Sequence, residues 1–247
     1  MKIRIICLFA VLLSLGCKKD GKLTFEPVSF TKNECSECPT INISIPKALE
    51  KNKIATSINT ALREEVISIL NFDEETEAID IESAINSFSE AYYDLKEKYA
   101  DESTQWEAKI DGTVTYEDKN VLTIKLDSYL FTGGAHGYST SRFLNFNKKK
   151  GLELDNSELF KNIEAFLELA EAKFRSQENI PETKAINSTG FMFETDHFYL
   201  PKNIGYTQNG LQLFYQQYEV ASYADGPIVL TLPYTEVQKF MAIQTKL

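Results

Sequence analysis

YLFTGGAHGYSTSRFLNFN, residues 129–147, decides how the rest of the chain is read. Runs that read as strand flank a short segment holding Gly133, Gly134, His136 and Gly137. Alternation at period two marks a strand with one buried face. Glycines permit positive φ and close backbone approach. The stretch therefore reads as strand, glycine turn, strand. It lacks the G-x-x-x-x-G-K-[ST] spacing of a phosphate loop. It also lacks the G-x-S-x-G of a nucleophile elbow.

The same period extends outward on both sides. Upstream, Trp106, Ala108, Ile110, Gly112, Val114 and Tyr116 share one face, EDKN (117–120) turns, and VLTIKLDSYLF runs back. Downstream, KKKG turns and GLEL is a short strand. Asp155, Asn156 and Ser157 then offer N-caps to a helix lined by Phe160, Ile163, Leu167, Ala170 and Phe174. Residues 176–196 show no clear period. After them come two strands with a turn at Asn209-Gly210, a last strand through Ile228, Leu230 and Leu232, and a short helix at EVQKFM.

The first third changes period. FEPVSF and TINISIP read as strands. Ile54, Ile58, Leu62, Val66 and Ile69 recur at helical spacing, as do Ile81, Ile85, Phe88, Tyr92, Leu95 and Tyr99. The acidic stretch between them, with Asp73, Glu74, Glu75 and Glu77, reads as a solvated break. Helices segregated from strands predict an α+β fold: mainly antiparallel sheets with about three main helices packed on them.

The N-terminus predicts location. Lys2 and Arg4 precede an apolar run from Ile5 to Leu15 that is too short to span a bilayer, and Gly16-Cys17 closes it. Residues 1–16 resemble a lipoprotein signal, with cleavage before Cys17, lipid on its thiol and residues 17–24 as a tether. Lys18 and Lys19 do not resemble acidic surface-export tags, so the expected place is the cell envelope, lipid-anchored and periplasm-facing at the outer membrane. In an oxidising compartment Cys35 and Cys38, spaced C-x-x-C, are expected to form a disulfide. No second such pair exists for zinc, so no metal or other cofactor is expected. The chain's net charge is −10, and losing Lys2 and Arg4 with the signal brings it to −12. That argues against a nucleic-acid partner, whose phosphates need clustered Lys and Arg, and permits a cationic one.

Catalytic signals are weak. The chain has two histidines, His136 and His197, and neither sits in a spaced ligand or triad motif. A general base needs a second titratable partner, so His136 reads as a loop-holding or binding residue, and no catalytic residue is assigned. Tyrosines crowd the C-terminal half. Most fit an alternating core, but exposed tyrosines anchor interfaces and stack on sugars. Tyr138, Tyr218 and Tyr223, with His136, are the candidate binding residues.

TGGAHG at 132–137, the Asn145-Phe146-Asn147 strand end, Lys150-Gly151 and Leu154 to Phe160 resemble the DUF3298 signature. The later GLQLFYQQYEVASYADG and LPYTEV resemble its remainder. Residues 25–126 are similar to the DUF4163 region that precedes it, leaving 127–247 as the DUF3298-like part. The resemblance implies an extracytoplasmic domain, as in lysozyme-sensing anti-sigma factors and ahead of the catalytic part of peptidoglycan deacetylases. It implies a non-catalytic lipoprotein that binds a cell-wall glycan or a protein such as lysozyme. The alternative is a cell-wall hydrolase or deacetylase-type enzyme using His136.

Overall fold

The computed structural model describes residues 21–33, 35–72, 77–99 and 104–245. The expected signal, Cys17, the first part of the tether and Asp73 to Glu75 lie outside the described residues. No helix among those described is long and apolar enough to cross a membrane.

Six strands form one sheet in chain order: β1 (Phe25–Lys32), β2 (Thr40–Ala48), β3 (Glu107–Glu117), β4 (Val121–Phe131), β5 (Tyr138–Asn147) and β6 (Leu152–Leu154). Every neighbouring pair is antiparallel except β2 and β3. Those two are parallel because the crossover between them carries α1 (Lys53–Leu70) and α2 (Ile81–Lys98). Asn52 caps α1 and Asp80 caps α2 through side-chain bonds to backbone N–H groups. The buried stripes of these helices cover one face of the sheet. There Ile41, Ile43, Ala108, Ile110, Leu122, Ile124 and Leu126 join Ile58, Leu62, Val66 and Phe88 in a largely aliphatic core. Tyr99 departs from the predicted stripe: it follows the end of α2 and is exposed.

A second sheet, β7 (Asn203–Thr207), β8 (Gly210–Tyr215) and β9 (Ile228–Leu232), lies behind the first. With α3 (Ile163–Gln177) it encloses a core rich in aromatic rings, where the Phe174 ring lies within 5.7 Å of the rings of Phe191, Phe193, Phe198 and Tyr215. α3 begins later than its expected caps. Asp155 heads a short 3-10 turn, Asn162 caps the helix, and Phe166 joins Ala170 and Phe174 in the core while Ile163 is exposed. A short α4 (Tyr234–Val237) closes the chain's last turn.

β7 approaches β5 closely: a Cβ on Gly205 would stand 2.2 Å from the Phe143 ring. β7 is an edge strand, and two of its carbonyls are met from the large sheet. Asn145 Nδ2 donates to Ile204 O at 2.7 Å and Thr115 Oγ1 to Tyr206 O at 2.9 Å. A bulge makes this docking possible. Val114 pairs with Ile124 and Tyr116 with Thr123, so Thr115 is the extra residue. One extra residue inverts the facing of everything after it. Tyr116 therefore does not share the face of Ala108 and Ile110, as alternation predicts, but joins the aromatic core. The boundary expected at 126/127 falls inside β4, a central strand.

The start of the described chain is clamped. Lys148 Nζ bonds Glu117 Oε1 at 2.6 Å and donates to Gly21 O at 2.7 Å. Leu23 N donates to the same Glu117 oxygen at 2.7 Å. Cys35 and Cys38 are disulfide-bonded, and the loop is held to α2 through Tyr92 Oη donating to Glu37 O at 2.6 Å.

Candidate functional site

The loop between β4 and β5 uses its glycines for different reasons. Gly133 and Gly134 have φ of 103° and 88°, which favour glycine in a tight reversal. Gly137 is a close approach: a Cβ there would lie 2.4 Å from the Tyr129 ring. The loop is thus laid flat on Tyr129, which leaves His136 exposed.

His136 meets a tyrosine contributed from far along the chain. Its ring stacks on Tyr223 at 3.9 Å and 19°, and its Nδ1 lies 3.1 Å from Gly137 O. Tyr223 Oη donates to Gly137 O at 3.3 Å. Tyr218 extends the row, its ring 5.4 Å from that of Tyr223. Tyr218 is 58% exposed and Tyr138 is 44% exposed. Three of the four residues singled out in sequence therefore form one aromatic ridge, and Tyr138 lines the cleft beside it together with Tyr218. His197 does not share this contact: it is exposed, with Nδ1 2.6 Å from Thr195 O. Among the described residues, no group of three or more His, Cys, Asp or Glu is placed to hold a metal.

Tyr218 is displayed at a cost. It has φ 66°, in the left-handed region, which costs a non-glycine residue roughly 1–2 kcal/mol. The turn is held by Glu219 N donating to Gln216 O at 3.1 Å and Gln216 N donating to Glu219 Oε2 at 2.8 Å. Strain of this kind concentrates at functional surfaces. Here it points a large ring outward.

Two clefts adjoin the ridge. One, of about 520 Å³, is lined by Tyr138, Tyr199, Tyr218, Lys202 and Glu219 among others. Burial pushes the Glu219 carboxyl above its usual range. The other, of about 390 Å³, has the uncovered part of the large sheet as its floor, with Lys109, Asp111, Asp127, Tyr129 and Ser139. Gln216 and Gln217 line both. These glutamines were not singled out in sequence. Their only signal is position, YQQYE, between one buried and one exposed tyrosine. A third cleft holds Glu65, Arg142 and Glu153, also unanticipated. Arg142 Nε bonds Glu65 Oε1 at 2.8 Å, and burial raises both carboxyls above their usual range.

The buried tyrosines form a separate class. Burial pushes the phenols of Tyr206, Tyr215 and Tyr234 upward. Tyr215 Oη donates to Tyr199 O at 2.6 Å and Tyr234 Oη to Thr207 O at 2.7 Å. These rings are core: the Tyr215 and Tyr234 hydroxyls are spent on backbone, and the Tyr206 hydroxyl has no hydrogen-bond partner among the described residues.

Comparison with known proteins agrees with this architecture. Residues 31–139 match the family described as deacetylase PdaC, and residues 155–235 match the protein of unknown function DUF3298. No curated protein matches the chain. A DUF3298 family protein from Pseudomonas aeruginosa PAO1 superposes with a TM-score of 0.69 at 20% identity, over 90% of this chain and 95% of that one. A DUF3298 family member from Bacteroides fragilis NCTC 9343 superposes with a TM-score of 0.65, also at 20% identity, over 92% of this chain and 96% of that one. Two family models thus match the chain in turn, a PdaC-type region at residues 31–139 and a DUF3298 segment at residues 155–235.

Proposed function

We propose that this protein is a non-catalytic lipoprotein of the cell envelope that binds a cell-wall glycan. It is held to the outer membrane through lipid on Cys17 and faces the periplasm. The observation that carries the reading is the ridge of His136, Tyr223 and Tyr218 beside clefts lined by amides and carboxylates. Flat rings stack on the apolar faces of sugars, and amides and carboxylates pair with hydroxyls. His136 is spent on Tyr223 and on a backbone oxygen, which is the arrangement of a wall residue.

The test is retention of the purified full-length chain on peptidoglycan at low and moderate salt, with lysozyme as a parallel bait. Glycan retention is expected at both salts, because stacking is not screened. Tyr218→Ala is expected to weaken it about tenfold. Capture of lysozyme that persists at moderate salt, without glycan retention, would replace the glycan by a cationic protein, which the net charge of −10 would steer. Release of sugar fragments or of free amine from the peptidoglycan, abolished by His136→Ala, would make the protein an enzyme and overturn the reading.

A further inference from the structure

β5 is covered on one edge along its length by β4, but β6 covers the other edge only at Asn145–Asn147. No strand among the described residues pairs with the 138–144 part of that edge. A side chain stands there instead. Gln216 Oε1 accepts from Ser141 N at 3.2 Å, and Gln216 Nε2 donates to Ser141 O. A primary amide in this position offers the same acceptor and donor as one peptide unit of an added strand.

The third cleft, of about 420 Å³, lies along this edge. Thr140, Ser141, Arg142 and Phe143 all line it, although successive side chains of a strand point to opposite faces. Only a cavity at the strand's edge meets four consecutive residues. Its walls carry Glu65 from α1, Glu153 from β6, and Asp155. Arg142 is bonded to Glu65, and Lys202 acts also on Glu219. Glu153 and Asp155 form no ion pair within 4 Å among the described residues, although the Arg142 charge also acts on Glu153 and Asp155 caps the 3-10 turn that follows it, and three carboxylates face two cations in the lining. The groove therefore has surplus negative charge beside an unpaired strand edge.

We infer that this groove binds an extended peptide bearing a basic side chain, which adds as a strand to the edge of β5 and displaces the Gln216 amide. Main-chain bonds to Ser141 give affinity, and the carboxylates of Glu153 and Asp155 select the cation. The site holds none of the ridge's rings, although Gln216 and Lys202 also line the cleft beside them, and the inference does not depend on the glycan reading.

The experiment is calorimetric titration of the full chain with acetyl-Ala-Lys-Ala-Ala-amide. Its comparison peptides are the norleucine analogue and the series bearing one backbone N-methyl group at each position. In an added strand alternate N–H groups face the partner. Methylation is thus expected to cost about tenfold at alternate positions and little between them. Norleucine in the peptide, or Glu153→Gln in the protein, is expected to weaken binding several-fold. Gln216→Ala, which vacates the edge, is expected to tighten it, and Tyr218→Ala to leave it unchanged. Absence of saturable binding at millimolar peptide, an N-methyl pattern without alternation, or weaker binding by Gln216→Ala would overturn the inference. Loss of peptide binding in Tyr218→Ala would also overturn it, by moving the ligand to the ridge.

Discussion

Two strand edges in this molecule are each met by a side-chain amide, and the two amides do different work. At β7, Asn145 donates to Ile204 O from a site that is 2% exposed, and its own oxygen accepts from Thr123 Oγ1 at 2.8 Å. At β5, Gln216 serves Ser141 from a half-buried position on the walls of three clefts. The first amide seals two sheets together. The second holds a place that solvent and ligands reach. Burial separates a permanent seal from one that can be exchanged, because a broken bond is replaced by water only where water has access.

The largest expected effect breaks the seal. Asn145→Ala leaves Ile204 O and the Thr123 hydroxyl buried without that partner, and should cost about 2–3 kcal/mol. Urea unfolding would read it as a lower midpoint with an unchanged slope. Gln216→Ala should cost about 1 kcal/mol or less by the same measurement, since water reaches Ser141. Equal losses for the two would abolish the distinction. Tyr206→Phe sharpens it from the other side. Among the described residues the buried Tyr206 hydroxyl has no hydrogen-bond partner, so removing it should raise stability by up to about 1 kcal/mol, seen as a higher melting temperature.

The smallest effect concerns pH near the exchangeable edge. Burial raises the Glu65 and Glu153 carboxyls above the ordinary value of 4.5, so the folded state holds these protons more tightly than the unfolded one. Their contribution favours folding below the ordinary value and is lost as pH rises through the raised value. Glu153→Gln should flatten the stability curve just above pH 4.5, while Asn145→Ala should shift it without changing its shape. Denaturation midpoints between pH 4 and pH 7 would distinguish the two.

What the sequence made legible follows the range of the interactions. The stripes of Ile54, Ile58, Leu62 and Val66, and of Ile81, Ile85, Phe88 and Tyr92, are local patterns, and both helices bury them. Tyr116 was misplaced because a bulge is one residue of irregularity that alternation does not register. The split into two sheets rests on pairings whose partners lie far apart, so the strands were readable and their grouping was not. The ridge was half readable. His136, Tyr218 and Tyr223 stand out by residue type, yet their stacking joins positions 87 residues apart that only the fold brings together. Gln216, Glu65 and Glu153 carry no motif, and their roles come from a strand edge and from burial, neither of which is written in their neighbours.

The clamp at the start of the described chain has a mechanical consequence. β1 is an outer strand, and a pull on its leading end would ordinarily peel it from β2 one bond at a time. Here a pull at Gly21 first meets Lys148 and Glu117, whose ion pair is nearly buried, with side chains 6% and 9% exposed. Glu117 ends β3 and Lys148 follows β5, so the load passes into the middle of the sheet. A chain tugged from its N-terminal side is thus anchored by its centre, and its outermost strand is spared.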